Sequence, residues 1–186
     1  ETYSNYDYAG NALTITDRNS NTMHNVYGAY GLIKTYFSGS PETKEYTYNN
    51  IGQLVGTKAV NANEESVEES YNYDDFGRLI SMTSNDGTEQ SYTYDSNSNV
   101  LSYPMAKDNT ERNSVEYEYN GLNQLTELSN NDIITSYEYD ANGNLTKKTQ
   151  NNGLTTDYSY NNAGLMTETK TKKGGSVYTY AECTYL

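Results

Sequence analysis

Residues 137–145 read YEYDANGNL, and the pattern Y-x-Y-[D/N]-x-x-G-x-L in this stretch recurs along the chain. Three further copies are YTYNNIGQL at 46–54, YNYDDFGRL at 71–79 and YSYNNAGLM at 158–166. Two copies replace the glycine, with Ser98 in residues 92–100 and Asn123 in residues 117–125. Degenerate copies near both ends bring the number to about nine, so we interpret residues 1–186 as a single array of tandem repeats.

The second tyrosine of each copy marks the repeat length. These tyrosines stand at positions 6, 27, 48, 73, 94, 119, 139, 160 and 180, so successive steps are 20, 21 or 25 residues. The two steps of 25 predict longer hairpins or loops, one near residues 61–65 and one near residues 107–113. Because such a short unit cannot bury a face alone, each repeat is expected to pack on its neighbours.

Each copy has the features of a β-hairpin. The Y-x-Y pattern places both rings on one face of a strand, and tyrosine favours strands. Asp or Asn followed three residues later by Gly is typical of a type I turn that ends in a left-handed residue. The motif glycines Gly77, Gly143 and Gly164 are therefore predicted to be left-handed, a role that Asn123 can also fill and that suits Ser98 less well.

The turns predict which residues face each other. The motif hairpin sets Tyr139 opposite Leu145. Asn152-Gly153 is a strong signal for a two-residue hairpin turn, and such a turn would set Leu145 opposite Tyr160. Asp86-Gly87 likewise sets Leu79 opposite Tyr94.

Extended along the chain, this register predicts one row in which aromatic and aliphatic side chains alternate across the sheet. The row comprises Tyr6, Ala12, Tyr27, Ile33, Tyr48, Leu54, Tyr73, Leu79, Tyr94, Val100, Tyr119, Leu125, Tyr139, Leu145, Tyr160, Met166, Tyr180 and Leu186. The first tyrosines of the copies form a parallel row that faces small or polar residues such as Ser81 and Ser102. The sequence thus predicts an all-β antiparallel meander of up to about 18 short strands, which coils because strands twist.

The composition fits a thin β structure better than a globular core. Leu, Ile, Val and Phe make up 27 of the 186 residues, and the net charge is −13. Such values indicate disorder by themselves, but disordered chains are poor in aromatic residues and this chain has 22 tyrosines. The periodicity therefore outweighs the composition.

Several kinds of site and partner are disfavoured by the residue counts. One histidine and one cysteine leave no disulfide within the chain and no Cys/His zinc site. The negative charge opposes nucleic acid as a partner, and no apolar run is long enough for a membrane span. We also expect the chain, which has no signal peptide and begins at Glu1, to be a piece of a larger protein.

The remaining candidate sites each have a simpler interpretation. A catalytic role for His24 would need a nucleophile and an orienting acid beside it, and Cys183 stands at a turn position in the last copy. The runs that begin at Asp95 and Asp140 imitate a calcium loop without its later ligands. The acidic residues Glu64, Glu65, Glu68 and Glu69 are typical of a solvated loop. We therefore assign no catalytic residue, metal ligand or cofactor, and leave ligand-binding residues unassigned.

The copies at residues 73–79 (YDDFGRL) and 139–145 (YDANGNL) resemble the YD repeats of the Rhs family, and the resemblance covers essentially the whole chain. The family includes bacterial Rhs and wall-associated proteins, insecticidal toxin-complex subunits and teneurins. The resemblance implies a β-sheet that spirals into a hollow shell, a structural role without catalysis, and a secreted or cell-surface location. In the bacterial toxins it implies that the shell holds a C-terminal toxic domain.

Three hypotheses about function follow. In the first, the chain is a structural repeat segment whose partners are other repeats or domains of the same polypeptide, including an enclosed toxin domain. Its open edge strands would also allow two copies to pair. In the second, exposed tyrosines such as Tyr103 or Tyr36 bind a polysaccharide of a cell wall. The third, an enzyme, lacks a constellation of residues to support it.

Overall fold

A computed structural model describes residues 1–184, and these residues form twenty β-strands and no helix. The strands are β1 (Thr2–Tyr6), β2 (Ala12–Thr16), β3 (Thr22–Gly28), β4 (Gly31–Phe37), β5 (Thr43–Tyr48), β6 (Leu54–Val60), β7 (Ser66–Tyr73), β8 (Leu79–Ser84), β9 (Thr88–Ser91), β10 (Thr93–Tyr94), β11 (Val100–Ser102), β12 (Met105–Lys107), β13 (Thr110–Asn113), β14 (Val115–Tyr119), β15 (Leu125–Asn130), β16 (Ile133–Tyr139), β17 (Leu145–Gln150), β18 (Leu154–Tyr160), β19 (Met166–Lys173) and β20 (Ser176–Glu182). The prediction of an all-β chain of tandem antiparallel hairpins is confirmed.

The strands belong to two sheets rather than one. The first contains eleven strands in the order β1 to β9, then β12 and β13, and the second contains nine in the order β10, β11, then β14 to β20. The chain also divides into two compact units, residues 1–90 with 107–109, and residues 91–106 with 110 onward. The extra hairpin β12–β13 accounts for the 25-residue step that precedes Tyr119.

The second tyrosine and the aliphatic residue of the motif face each other across the hairpin turn. The structure pairs Tyr139 with Leu145, and it forms the same pair in five other motif hairpins. These pairs are Tyr48–Leu54, Tyr73–Leu79, Tyr94–Val100, Tyr119–Leu125 and Tyr160–Met166. One residue beyond each pair the register shifts, so that Glu138 faces Lys147 and Thr146 is the extra residue of a β-bulge.

The turns between motifs differ from the prediction. A two-residue turn would need positive φ at both Asn152 and Gly153, but among the described residues of this turn only Gly153 has it (φ 85°). The loop therefore has three residues, and Lys148 faces Thr156, one residue out of the predicted register. The bulge at Thr146 cancels this slip, so the tyrosines of successive hairpins stay on one face.

Two further predicted pairings are wrong. Tyr27 faces Leu32 rather than Ile33, because Gly28 pairs with Gly31 around a two-residue turn. Leu79 cannot face Tyr94, because their strands, β8 and β10, belong to different sheets.

Tyr180 departs furthest from the predicted row. It faces Lys170 rather than Met166, because the tight turn at Gly174 and Gly175 sets a different register. Lys170 in turn faces Asp157, which alternates along β18 with Tyr158. Tyr180 therefore lies on the opposite face of the second sheet from Tyr158 and Tyr160. The last predicted member of the row, Leu186, lies outside the described residues.

The parallel row also has different partners from those predicted. Tyr71 faces Met82, while Ser81 faces Asn72. Ser102 faces Thr93 rather than the neighbouring tyrosine. The motif bulge explains the first difference, since it moves each later residue of the return strand by one position.

The interior is thin. In residues 1–184, Val115 is the single buried hydrophobic residue, and the buried polar residues are Thr14, Asn25 and Thr135. Most motif tyrosines and their aliphatic partners are half-buried. Stability is therefore spread over many partly buried pairs, with no concentrated core.

Candidate functional site

A recurring interaction joins four motif tyrosines to the preceding hairpin. The hydroxyl of Tyr160 donates a 2.9 Å hydrogen bond to the main-chain oxygen of Leu145, and that of Tyr139 donates a 2.8 Å bond to the oxygen of Leu125. The same bond runs from Tyr48 to Leu32 and from Tyr73 to Leu54, at 3.0 and 2.7 Å. We call Tyr48, Tyr73, Tyr139 and Tyr160 the clamp tyrosines, since each uses its ring in its own hairpin and its hydroxyl in the one before.

The sequence carries part of the signal for this interaction. A buried tyrosine hydroxyl usually finds a hydrogen-bond partner, and the second motif tyrosine recurs along the chain. The partner is a backbone carbonyl, which every residue type possesses, so no sequence pattern marks it.

The Asp of the motif organises the turn through both carboxylate oxygens. Asp140 Oδ1 accepts 2.9 Å hydrogen bonds from the backbone N–H groups of Asn142 and Asn144, and Oδ2 accepts one from Asn144 Nδ2. These bonds favour the ionised form and lower the pKa of Asp140. A side-chain bond from the first turn residue to the fifth recurs in other turns, in the pairs Asp7–Asn11, Asp17–Asn21, Asn49–Gln53, Asp74–Arg78, Asp95–Asn99 and Asn120–Gln124.

The fourth turn residue adopts the left-handed conformation whatever its identity. Gly77, Gly143 and Gly164 have φ of 79°, 86° and 76°, and Asn123 has φ of 60°. Ser98 also reaches φ of 69°, although this conformation suits serine less well than glycine or asparagine. Glu64 does the same in the longer loop after β6, where Asn61 takes the place of the Asp.

Neighbouring turns contact each other along the edge of each sheet. Gln124 Nε2 lies 3.3 Å from the position that a Cβ would occupy on Gly143, and Gln53 Nε2 lies at the same distance from that of Gly77. Asn123 Oδ1 accepts hydrogen bonds from the amide groups of Asn97 and Asn99. The fifth turn residue thus supports its own turn and the next one.

A second set of rings lies on the clamp-tyrosine face of the second unit. We call Tyr92, Tyr103, Tyr117, Tyr137 and Tyr158 the tyrosine strip. The rings of Tyr92 and Tyr103 stack with centroids 6.1 Å apart, and those of Tyr103 and Tyr117 with centroids 6.5 Å apart. Lys148 Nζ lies 5.9 Å from the ring centre of Tyr137, and burial raises the pKa of the Tyr137 hydroxyl.

The stacking bears on the polysaccharide hypothesis. Sugar rings pack on open aromatic faces, but Tyr103 stands between two tyrosines. Tyr36 is stacked on His24 with centroids 4.8 Å apart. Both tyrosines that we chose from the sequence for sugar binding therefore use ring faces to pack against neighbours.

The catalytic and metal candidates remain scattered. His24 Nε2 lies 2.7 Å from Ser38 Oγ, but among residues 1–184 no Asp or Glu is hydrogen-bonded to His24. Cys183 is exposed and free. No three His, Cys, Asp or Glu side chains in the described part of the chain are grouped so that they could hold a metal ion. In the calcium-like run at Asp140, the turn already uses the carboxylate oxygens.

The four acidic residues after β6 do not act together. Glu68 forms a 2.7 Å ion pair with Lys58 across the hairpin. Glu69 accepts hydrogen bonds from the hydroxyls of Tyr71 and Thr57, which lower its pKa. Glu65 accepts a hydrogen bond from the Asn61 amide group, so three of the four have partners within the protein.

Two family models match this chain. Residues 2–104, more than half of the chain, match the model described as Teneurin YD-shell. The chain belongs to the teneurin YD-shell family. Residues 135–180 of this YD-shell chain also match the RHS Repeat model, so the resemblance drawn from the repeats is confirmed.

Solved structures share the YD-shell fold. The crystal structure of TcdB2-TccC3-Cdc42 matches with a TM-score of 0.77 and 15% identity over 93% of this chain and 11% of that one. The Tc holotoxin pore of Photorhabdus luminescens matches with a TM-score of 0.74 and 15% identity over 87% of this chain and 9% of that one. The YD-shell chain thus spans about a tenth of these structures, and the likeness concerns the fold.

A comparison with curated proteins gives no match. The described part of the YD-shell chain contains no helix long and apolar enough to cross a membrane.

Proposed function

We propose that this YD-shell chain is a non-catalytic wall segment of a secreted or cell-surface protein, in which all nine repeats act as one array. The observation that carries the proposal is the clamp-tyrosine bond. It ties successive hairpins together in both compact units, for example Tyr73 to Leu54 in the first and Tyr160 to Leu145 in the second. Membership in the YD-shell family supports the same role.

A wall of this kind needs no concentrated core. A motif hairpin such as that of Tyr139 contributes one half-buried aromatic–aliphatic pair, a turn held by side-chain hydrogen bonds and one bond to the previous hairpin. Such pairs contribute about 0.2–1 kcal/mol each, so rigidity comes from repetition. The finer part of the proposal is that the wall encloses another domain of the same polypeptide.

Limited proteolysis of the natural polypeptide that carries this chain tests both parts. If the wall encloses a domain, that domain resists protease up to the temperature at which the β-sheet signal in circular dichroism is lost. The double variant Tyr139→Phe/Tyr160→Phe should lower the temperature at which the domain becomes sensitive to protease, and lower the unfolding temperature of the sheet by the same amount. Digestion of the domain far below the unfolding temperature would refute enclosure, whereas an unchanged unfolding temperature would refute the clamp as a source of wall stability.

The exposed last strand supports edge-to-edge pairing of two copies as an additional partner interaction. Every residue of β20 is exposed, including Val177 at 53% and Tyr178 at 65%. Unpaired edge strands join other chains readily unless a charge prevents it. Sedimentation velocity of the wild type and of Val177→Lys tests this, since pairing through β20 predicts a concentration-dependent dimer that the lysine weakens.

A further inference from the structure

The tyrosine strip carries hydroxyl groups that the protein itself does not use. The clamp tyrosines donate to backbone oxygens, whereas in residues 1–184 the hydroxyls of the strip make no hydrogen bond to a protein group. The rings are half-buried, and burial raises the pKa of Tyr92, Tyr117 and Tyr137. The hydroxyls of Tyr92, Tyr117 and Tyr137 therefore stay protonated and remain available as donors.

Charge is divided between the two faces of the second sheet. Every carboxylate in strands β14 to β20 lies on the face opposite the strip, as the register shows: Glu116, Glu118, Glu127, Glu138, Asp157, Glu168 and Glu182. Lys148 and Lys173 lie on the strip face, where their cross-strand partners are Tyr137 and Leu154 respectively. In a chain of net charge −13, this face presents ammonium and phenol donors without a strand carboxylate.

We propose that the tyrosine strip, with Lys148 and Lys173, is a docking surface for an extended acidic polypeptide. Charge complementarity selects the partner, because carboxylates pair with the lysines and accept hydrogen bonds from phenols. This binding role goes beyond the proposed wall role, and either can fail without the other.

The spacing of the strip suits an extended chain. Its first three rings are 6.1 and 6.5 Å apart. Alternate residues of an extended strand are about 6.6 Å apart, so side chains on one side of such a strand meet successive hydroxyls.

The test is fluorescence anisotropy of a fluorescein-labelled oligomer of twenty glutamates, titrated with the chain at low and at physiological ionic strength. We expect saturable binding that weakens with salt. The double variant Lys148→Met/Lys173→Met should weaken it about tenfold. The triple variant Tyr117→Phe/Tyr137→Phe/Tyr158→Phe, which keeps the rings, should weaken it further, with the unfolding temperature unchanged in both variants.

The opposite face supplies the matched control. Lys147→Met/Lys170→Met removes the same charge from that face and should leave the binding of the glutamate oligomer unchanged. Absence of saturable binding of the glutamate oligomer, or an equal effect of the control variant, would overturn the proposal.

Discussion

The hydroxyl of Tyr160 donates a 2.9 Å hydrogen bond to the main-chain oxygen of Leu145, while the ring of Tyr160 faces Met166 in its own hairpin. One side chain therefore connects two hairpins that are consecutive in sequence. Four tyrosines make this connection at 2.7–3.0 Å.

Removing the clamp hydroxyl should destabilise the fold without changing its shape. Tyr160→Phe leaves the ring in place but removes the hydrogen bond to the main-chain oxygen of Leu145. We therefore expect a loss of about 1 kcal/mol in unfolding free energy. Tyr158→Phe is the matched control, because that hydroxyl has no protein partner in the described residues and its loss should be close to neutral. Urea unfolding followed by circular dichroism measures both, and equal effects would contradict the clamp.

The aliphatic partner should matter in proportion to its burial. Leu145 is half-buried and faces Tyr139, so Leu145→Ala should cost about 1–2 kcal/mol, less than a fully buried leucine. Leu122 lies at a turn tip and is 79% exposed, so Leu122→Ala should change stability by less than about 0.5 kcal/mol. Thermal unfolding measures both variants, and the unfolding temperature should fall for Leu145→Ala and stay close to that of the wild type for Leu122→Ala.

The left-handed glycine should tolerate alanine poorly. Gly143 has φ of 86°, and a Cβ there would lie 3.3 Å from Gln124 Nε2, so Gly143→Ala should cost about 1 kcal/mol or more. Gly121 has no positive φ and no atom within 4 Å of a built Cβ. Gly121→Ala should therefore be neutral or stabilise by about 0.4–1 kcal/mol. The unfolding midpoints in urea should thus move in opposite directions, or only that of Gly143→Ala should move.

The turn carboxylates should make stability depend on pH in acid. Hydrogen bonds lower the pKa of Asp140 in the folded state below its ordinary value of 3.8. Its contribution is therefore complete above pH 3.8 and is lost as the pH falls through the folded-state pKa. Asp140→Asn keeps the oxygen that accepts the turn bonds but does not titrate, so the variant should lose less stability than the wild type between pH 5 and pH 2. Parallel curves for the two proteins would contradict this assignment.

The repeat was predictable from the sequence because its signals are local. The pairing of Tyr139 with Leu145 follows from a turn that needs a left-handed residue, and Gly143 marks that residue. The bulge at Thr146 could not be foreseen, since nothing in that residue distinguishes it from a regular strand position. The Asn152-Gly153 pair predicts a two-residue turn because both residue types tolerate positive φ, but only Gly153 adopts it and Asn151 joins the loop.

The motif bulge and the three-residue linking loop each shift the register by one residue, and the two shifts cancel in every repeat that has both. Because side chains alternate with a period of two, a single residue added or lost in one hairpin would invert every tyrosine after it. The chain shows such an inversion at Tyr180, which follows the tight turn at Gly174 and Gly175 and lies with Lys170 on the opposite face. Changes of repeat length in an array of this kind are therefore constrained like a reading frame, in which only compensated insertions keep the later repeats in phase.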